Sequence, residues 1–392
     1  FGNFGAAGLA WIFSNEKWIP KKLHFLSFGK WRMSYGITGN DQVGDYRYLD
    51  SWQNAALTYQ GVSGLQPSRL YNPDYSWEVN RKWETALDIG IFKDKVLFSA
   101  AYFINRSGNR LINYTLPAQT GFTSVLENWK AIIQNNGLEL SLTMDNSSIN
   151  KIKWTSAAVI AFPKNKLVSF PNLSVSSYKT TYVEGYSLSA IYAIRFLGVD
   201  PATGIYRFQD IDSNNTFNSN DYKILGRTDP IYDGSWNNSF NYKNWQLDFF
   251  IQFRKQTGLS YLFTQSNEIP GYWLNNEPVY DLNPWRKPGD QAMIQRYTAT
   301  AGSAAYKAAT STLQASNALF TDASFIRFKT LSCSYHFPKR WIEKTGFQNC
   351  KLYLQAQNLF TITGYKGADP ENQNLYILPP LRTITFGIQL SL

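Results

Sequence analysis

Leu381-Arg-Thr-Ile-Thr-Phe-Gly-Ile-Gln-Leu-Ser-Leu392 closes the chain, and its alternation is strict to the last residue. Ile384, Phe386, Ile388, Leu390 and Leu392 fall on one side of a strand, and Thr383, Thr385, Gly387, Gln389 and Ser391 on the other. One face is greasy and the other small and polar. A soluble sandwich would bury the apolar face under a second sheet, whereas an outer-membrane barrel would turn it to lipid and line a wet lumen with the polar one.

Working outward, the same period marks ten further stretches: 4–14, 23–38, 81–92, 95–105, 131–145, 151–162, 234–242, 245–255, 323–337 and 348–362. The clearest is Trp245 to Lys255, where Trp245, Leu247, Phe249, Ile251 and Phe253 oppose Gln246, Asp248, Phe250, Gln252 and Arg254. Between Ala323 and Phe337 the apolar row changes face, from Ile326 and Phe328 to Leu331, Cys333 and Tyr335, which predicts a bulge near Lys329 or Thr330.

The connections alternate in length. Those at 15–22, 93–94, 146–150, 243–244 and 338–347 are short; those at 39–80, 106–130, 163–232, 256–322 and 363–380 are long, turn-rich and polar, with one internal strand expected at 189–199. Short periplasmic turns and long extracellular loops are the rhythm of an outer-membrane barrel, and they put the C-terminus on the periplasmic side. Eleven strands is an odd number, so an even-stranded barrel is expected to have begun upstream.

Composition agrees. The 392 residues show no linker or composition break, so one domain is expected, residues 1–392. Aromatics make up 16% and charged residues only 17%, a balance that suits interfacial girdles. No apolar run approaches the roughly 20 residues of a membrane helix. A mean hydropathy of −0.33 does not argue against a membrane, because alternating strands dilute the signal. The net charge of +10 is scattered without a Lys/Arg run that would track phosphates, which argues against nucleic acid. Cys333 and Cys350 flank one proposed turn, a spacing that leaves both a disulfide and two free thiols open.

At this point the motifs resemble a known family. Asn358-Leu-Phe-Thr-Ile-Thr-Gly-Tyr-Lys-Gly-Ala-Asp-Pro-Glu371, followed by the closing strand, is similar to the C-terminus of the SusC/RagA family of TonB-dependent outer-membrane transporters. Trp31-Arg-Met-Ser-Tyr-Gly-Ile-Thr-Gly-Asn40, Asn136-Gly-Leu-Glu-Leu140 and Gly198-Val-Asp-Pro-Ala-Thr-Gly204 fall in the same order. The resemblance implies an all-β fold, the C-terminal part of a transmembrane antiparallel β-barrel of about 22 strands, with the plug and first strands outside this chain. It also implies active import of an oligosaccharide or oligopeptide under a SusD-like surface lipoprotein, powered by TonB. A non-transporting adhesin or carbohydrate-binding β-protein is the alternative.

Two sets of residues are candidates for binding. Asp210, Asp212, Asn214, Thr216, Asn218 and Asp221 occupy positions 1, 3, 5, 7, 9 and 12 of a calcium loop, although Asn215 replaces the turn glycine and Asp221 the longer glutamate. A bound calcium ion and a loop of Asx turns are both open readings. Trp52, Tyr71, Trp77, Tyr272, Trp273 and Trp285, all in long connections, could stack on sugar rings or grip a peptide, or hold their own loops. No other cofactor is expected. His24 and His336 sit in no metal or nucleophile motif, and Asp88, Glu139 and Asp248 read as isolated carboxylates on different strands, so no enzyme is expected.

Overall fold

The computed structural model describes residues 3–18, 23–40, 46–122, 124–149, 152–264, 269–272, 283–342, 346–374 and 377–391. The strands are β1 (Gly5–Trp11), β2 (Leu26–Asn40), β3 (Ser51–Tyr59), β4 (Val62–Arg69), β5 (Glu78–Ile91), β6 (Val96–Gly108) and β7 (Arg110–Thr115). There follow β8 (Ser124–Trp129), β9 (Ile132–Ile149), β10 (Ile152–Ser169), β11 (Ala190–Ile194), β12 (Phe196–Val199), β13 (Tyr206–Phe208) and β14 (Tyr222–Arg227). The last are β15 (Tyr232–Tyr242), β16 (Trp245–Lys255), β17 (Thr257–Leu259), β18 (Phe320–Asp322), β19 (Phe325–His336), β20 (Asn349–Thr363) and β21 (Thr383–Ser391). Eleven of them form one sheet in the order β1-β2-β5-β6-β9-β10-β15-β16-β19-β20-β21. Each expected alternating stretch is one of these strands. Among the described residues no helix is long and apolar enough to cross a membrane.

The chain gathers into two compact units. The first comprises Phe1–Lys93, Ser99–Glu139 and Pro163–Leu188. In it β1, β2 and β5 pair antiparallel, with Leu9 opposite Met33 and Trp31 opposite Leu87, so one face is apolar. Arg32 pairs with Ala86 and Lys30 with Asp88 on the other face. The insertions carry two ribbons, β3–β4 and β7–β8. A small core of Trp129, Ala131, Ile133, Leu167 and Phe170 lies beside β8.

The second unit comprises Asp94–Phe98, Leu140–Phe162 and Ser189–Leu392. Here the pairing register decides which side chains share a face. Phe249 stands opposite Leu331, Leu331 opposite Ala356 and Ala356 opposite Ile384, a row without a charge. Asp248 faces Ser332, which faces Gln355, which faces Thr385. On the apolar side Ile384, Phe386 and Ile388 are 62%, 66% and 60% exposed, which no core face of a soluble sandwich would be. Trp245 is likewise exposed, whereas Phe249 and Phe253 are half-buried by the rings of Trp236, Phe328 and Tyr232 in their own row.

The expected bulge is present. Phe250 pairs with Thr330 and Ile251 with Phe328, leaving Lys329 as the extra residue that returns the apolar row to its face. The β15–β16 hairpin turns in two residues, with Lys243 at φ +53°. Glycines on the wall make room for rings: a Cβ on Gly387 would lie 2.5 Å from the Tyr353 hydroxyl oxygen, which stands directly across the ladder.

Two expectations change, and one open reading closes. The insertions expected to be irregular contain paired ribbons, including β11–β14, β12–β13 and β17–β18. In the second unit two of them share a core of Ile194, Tyr206, Phe208, Phe263, Ile269, Ile294 and Leu313. Pro163, expected to begin a connection, lies within β10; the ladder to β15 stops at Ala161, so that edge no longer needs its missing N–H. The cysteines are free thiols, since Cys333 is opposite Leu354 and Cys350 opposite Leu390.

Candidate functional site

The aromatic candidates fall in different settings. Trp52 on β3 is 58% exposed, with its indole N–H donated to Asp50 Oδ2 at 3.0 Å. Tyr71 is exposed on the connection after β4. Trp77 stacks on Phe4, centroids 5.6 Å apart and planes at 5°, so one ring face is occupied.

In the second unit Tyr272 meets Tyr306 edge to face at 5.0 Å and packs on the insertion core. Trp285 donates its indole N–H to the Pro201 carbonyl at 2.9 Å. Its ring lies over Gly204, where a Cβ would come within 2.2 Å and where φ is +70°. Only glycine suits that position on both counts. Trp273 lies outside the described residues.

The acidic loop is drawn together by its own hydrogen bonds. Carboxylate oxygens of Asp210, Asp212 and Asp221 lie within 4.8 Å of one another. Asp221 is 1% exposed and accepts the backbone N–H groups of Ile211 at 2.7 Å and Asn218 at 3.0 Å. The Asn218 and Ile211 amides hold its carboxyl below the ordinary aspartate range. The other positions are engaged locally. Asn214 Oδ1 accepts from the Thr216 amide, the Thr216 carbonyl accepts from Asn218 Nδ2, and Asn218 Oδ1 caps the next turn through Asn220. Asn215 adopts φ +57°, the left-handed turn that glycine takes in a calcium loop and that asparagine tolerates. Asp210 Oδ1 is buried and has no hydrogen-bond partner. The arrangement offers a divalent cation three carboxylates, one of them with an unused oxygen.

The polar face carries groups that sequence reasoning treated as isolated. Asp88 accepts from Ser99 Oγ at 2.6 Å and lies 3.7 Å from Arg32 Nε, and Arg32 also meets Glu84 at 3.7 Å. Asp248 accepts from Gln246 Nε2 at 2.9 Å. Glu139 is exposed.

One network was not foreseen at all. Arg327 on β19, 2% exposed, donates Nε to Thr361 Oγ1 at 2.9 Å and Nη1 to Glu371 Oε2 at 2.7 Å, and pairs through Nη2 with Asp369. Lys329, the bulge residue, reaches Glu371 at 2.9 Å. Gln256 Nε2 donates to the Pro370 carbonyl, and Tyr365 Oη to the Leu259 carbonyl. The segment after β20 is thereby fastened to β17 and β19. In the first unit, Tyr114, Trp129, Phe170, Tyr178 and Tyr182 form a ring cluster that was also missed; its members are scattered over two insertions, with no local period to betray them.

No family model matches the chain. It is 26% identical to TonB-dependent receptor P3 of Formosa agariphila, over 99% of this chain and 41% of that protein. It is 23% identical to TonB-dependent receptor SusC of Bacteroides thetaiotaomicron, over 100% of this chain and 40% of the relative. Among solved structures, that of the RagAB peptide transporter superposes with a TM-score of 0.80 at 22% identity, covering 99% of this chain and 43% of that one. The chain therefore has the fold of a TonB-dependent outer-membrane barrel and spans about two fifths of the curated relatives it matches. Those relatives are named receptors, in line with the reading against an enzyme.

Proposed function

We propose, from its likeness to SusC-type TonB-dependent receptors, that this chain is the C-terminal wall of an outer-membrane importer. One observation carries the reading, and each unit shows it by itself: antiparallel strands with exposed apolar side chains on one face and, on the other, Arg32 and Asp88 in the first unit and Asp248 in the second. In a bilayer the first face meets acyl chains and the second lines the transport path. Short turns then lie in the periplasm, with the C-terminus, and the folded insertions lie outside the cell.

A SusD-like lipoprotein resting on those insertions is the proposed partner, with TonB acting through sequence outside this chain. The cargo is an oligosaccharide or oligopeptide, held in part by the exposed rings of Trp52 and Tyr71. The Asp210–Asp221 loop is proposed to hold calcium; the partnerless buried oxygen of Asp210 fits a cation.

The test uses the full-length protein in its own outer membrane. Uptake of fluorescently labelled glycans or peptides should require both the protein and TonB, and mild-detergent purification should bring down a lipoprotein in equal amount. Uptake indifferent to TonB would overturn import. At mid-wall, Phe249→Arg should cost about 2–4 kcal/mol of stability, read from the temperature at which the folded band disappears on a gel.

A further inference from the structure

Beside the insertions of the second unit, several cations are matched: Arg227 with Asp229, Arg254 with Asp233, Lys255 with Asp322, and Arg327 and Lys329 with Asp369 and Glu371. At the short-turn end, Lys243, Lys339 and Arg340 are exposed and no carboxylate pairs with them among the described residues.

Two of these cations, Lys243 and Arg340, ride on rings. The register sets Tyr242 opposite Trp245 and Trp245 opposite Tyr335, all on the apolar face at one level. Contacts continue the row: Trp245 to Tyr335 at 4.9 Å, Tyr335 to Phe337 at 5.3 Å, and Phe337 to Trp341 at 6.2 Å. Lys243 lies 5.3 Å over the Tyr242 ring and Arg340 6.0 Å over Trp341, at the two ends of the row. Beside Lys339 a cleft of about 390 Å³ is lined by Ile342, Phe347, Gln348 and Asn349.

We propose that this corner binds the headgroups of anionic phospholipids in the leaflet that the short turns face. The inference rests on the barrel reading. Aromatic side chains are stable at the level of the headgroups, and basic side chains that rise past them reach the phosphates. Cations matched by carboxylates would gain little there; these three are free to pair with lipid. Gln348 and Asn349 add amide donors for glycerol or phosphate oxygens at the cleft.

The experiment places the full-length protein in phosphatidylcholine vesicles doped with spin-labelled phosphatidylglycerol or phosphatidylcholine, and compares the motionally restricted fractions by electron paramagnetic resonance. Phosphatidylglycerol should be preferred severalfold, and the preference should shrink at about 0.5 M salt. The triple variant Lys243→Gln, Lys339→Gln, Arg340→Gln should move the ratio toward one, by up to about fivefold per cation removed. Lys243→Arg with Lys339→Arg should keep it. A wild-type ratio near one, or a preference that survives in the triple variant, would overturn the proposal. So would capture of an acidic periplasmic protein by this corner without any lipid preference. Absence of a restricted lipid signal in every vesicle would instead overturn the barrel reading.

Discussion

Arg327 uses all three guanidinium nitrogens inside the protein, so its removal leaves Asp369 buried without a counter-charge. Arg327→Ala should cost about 3–5 kcal/mol, whereas Lys329→Ala, whose ammonium and partner carboxylate are partly exposed, should cost about 1 kcal/mol or less. The midpoint temperature for loss of the folded gel band separates the two. Neither contact was legible in the sequence, because Asp369 and Glu371 lie 42 and 44 residues from Arg327 and no local period links them. The acidic loop was legible, since its spacing alone brings three carboxylates together. Asp221 gives it a pH limit. Its carboxyl is lowered, so its contribution is complete above the ordinary value of 3.8 and is lost only as the pH falls further, through the folded-state value. Terbium luminescence should therefore report binding at neutral pH that Asp221→Asn abolishes, and an equal signal from both proteins would show that the loop holds no ion.

At the scale of elements, the bulge at Lys329 is a phase correction. Ile326 and Phe328 share the apolar face with Leu331 only because one residue is left out of the ladder. Deleting Lys329 alone should leave that row in phase, whereas deleting Lys329 and Thr330 together should turn either Phe325 and Arg327 or Ser332 and Ser334 toward lipid. The barrel should fail to assemble only in the double deletion, seen as loss of the folded gel band; the single deletion and Lys329→Ala should both assemble. The phase change was readable beforehand because wall strands have two unlike faces and an error of one residue shows. Ribbons such as β3–β4 offered no such signal: Trp52, Val62 and Leu65 are exposed, and no buried face imposes a period. The rings of Tyr272 and Trp285 were found by residue type, but their packing on Tyr306 and Gly204 depends on chain neighbours far away in sequence.

For the molecule as a whole, the two units share one strand order, and the insertions are folded bodies rather than slack connections. In the second unit β17 and β18 form a stem: Thr257 pairs with Asp322 and Leu259 with Phe320, directly after β16 and directly before β19. The Ala323 amide donates to the Gln256 carbonyl at 3.0 Å and seals its base. Joining Leu259 to Phe320 by a short Asn-Gly turn should leave the wall able to assemble, while residues 189–231, deprived of most of the core they share, become open to protease. The stem also bears on the order of events during folding. Bringing β16 and β19 together from a disordered chain means closing a long loop, whose entropic cost rises with the logarithm of its length, whereas an insertion that has already collapsed presents the two strands as though a tight turn joined them. The nascent wall would then zip as successive hairpins, its rate set by how fast each insertion condenses rather than by the search of distant strands for one another.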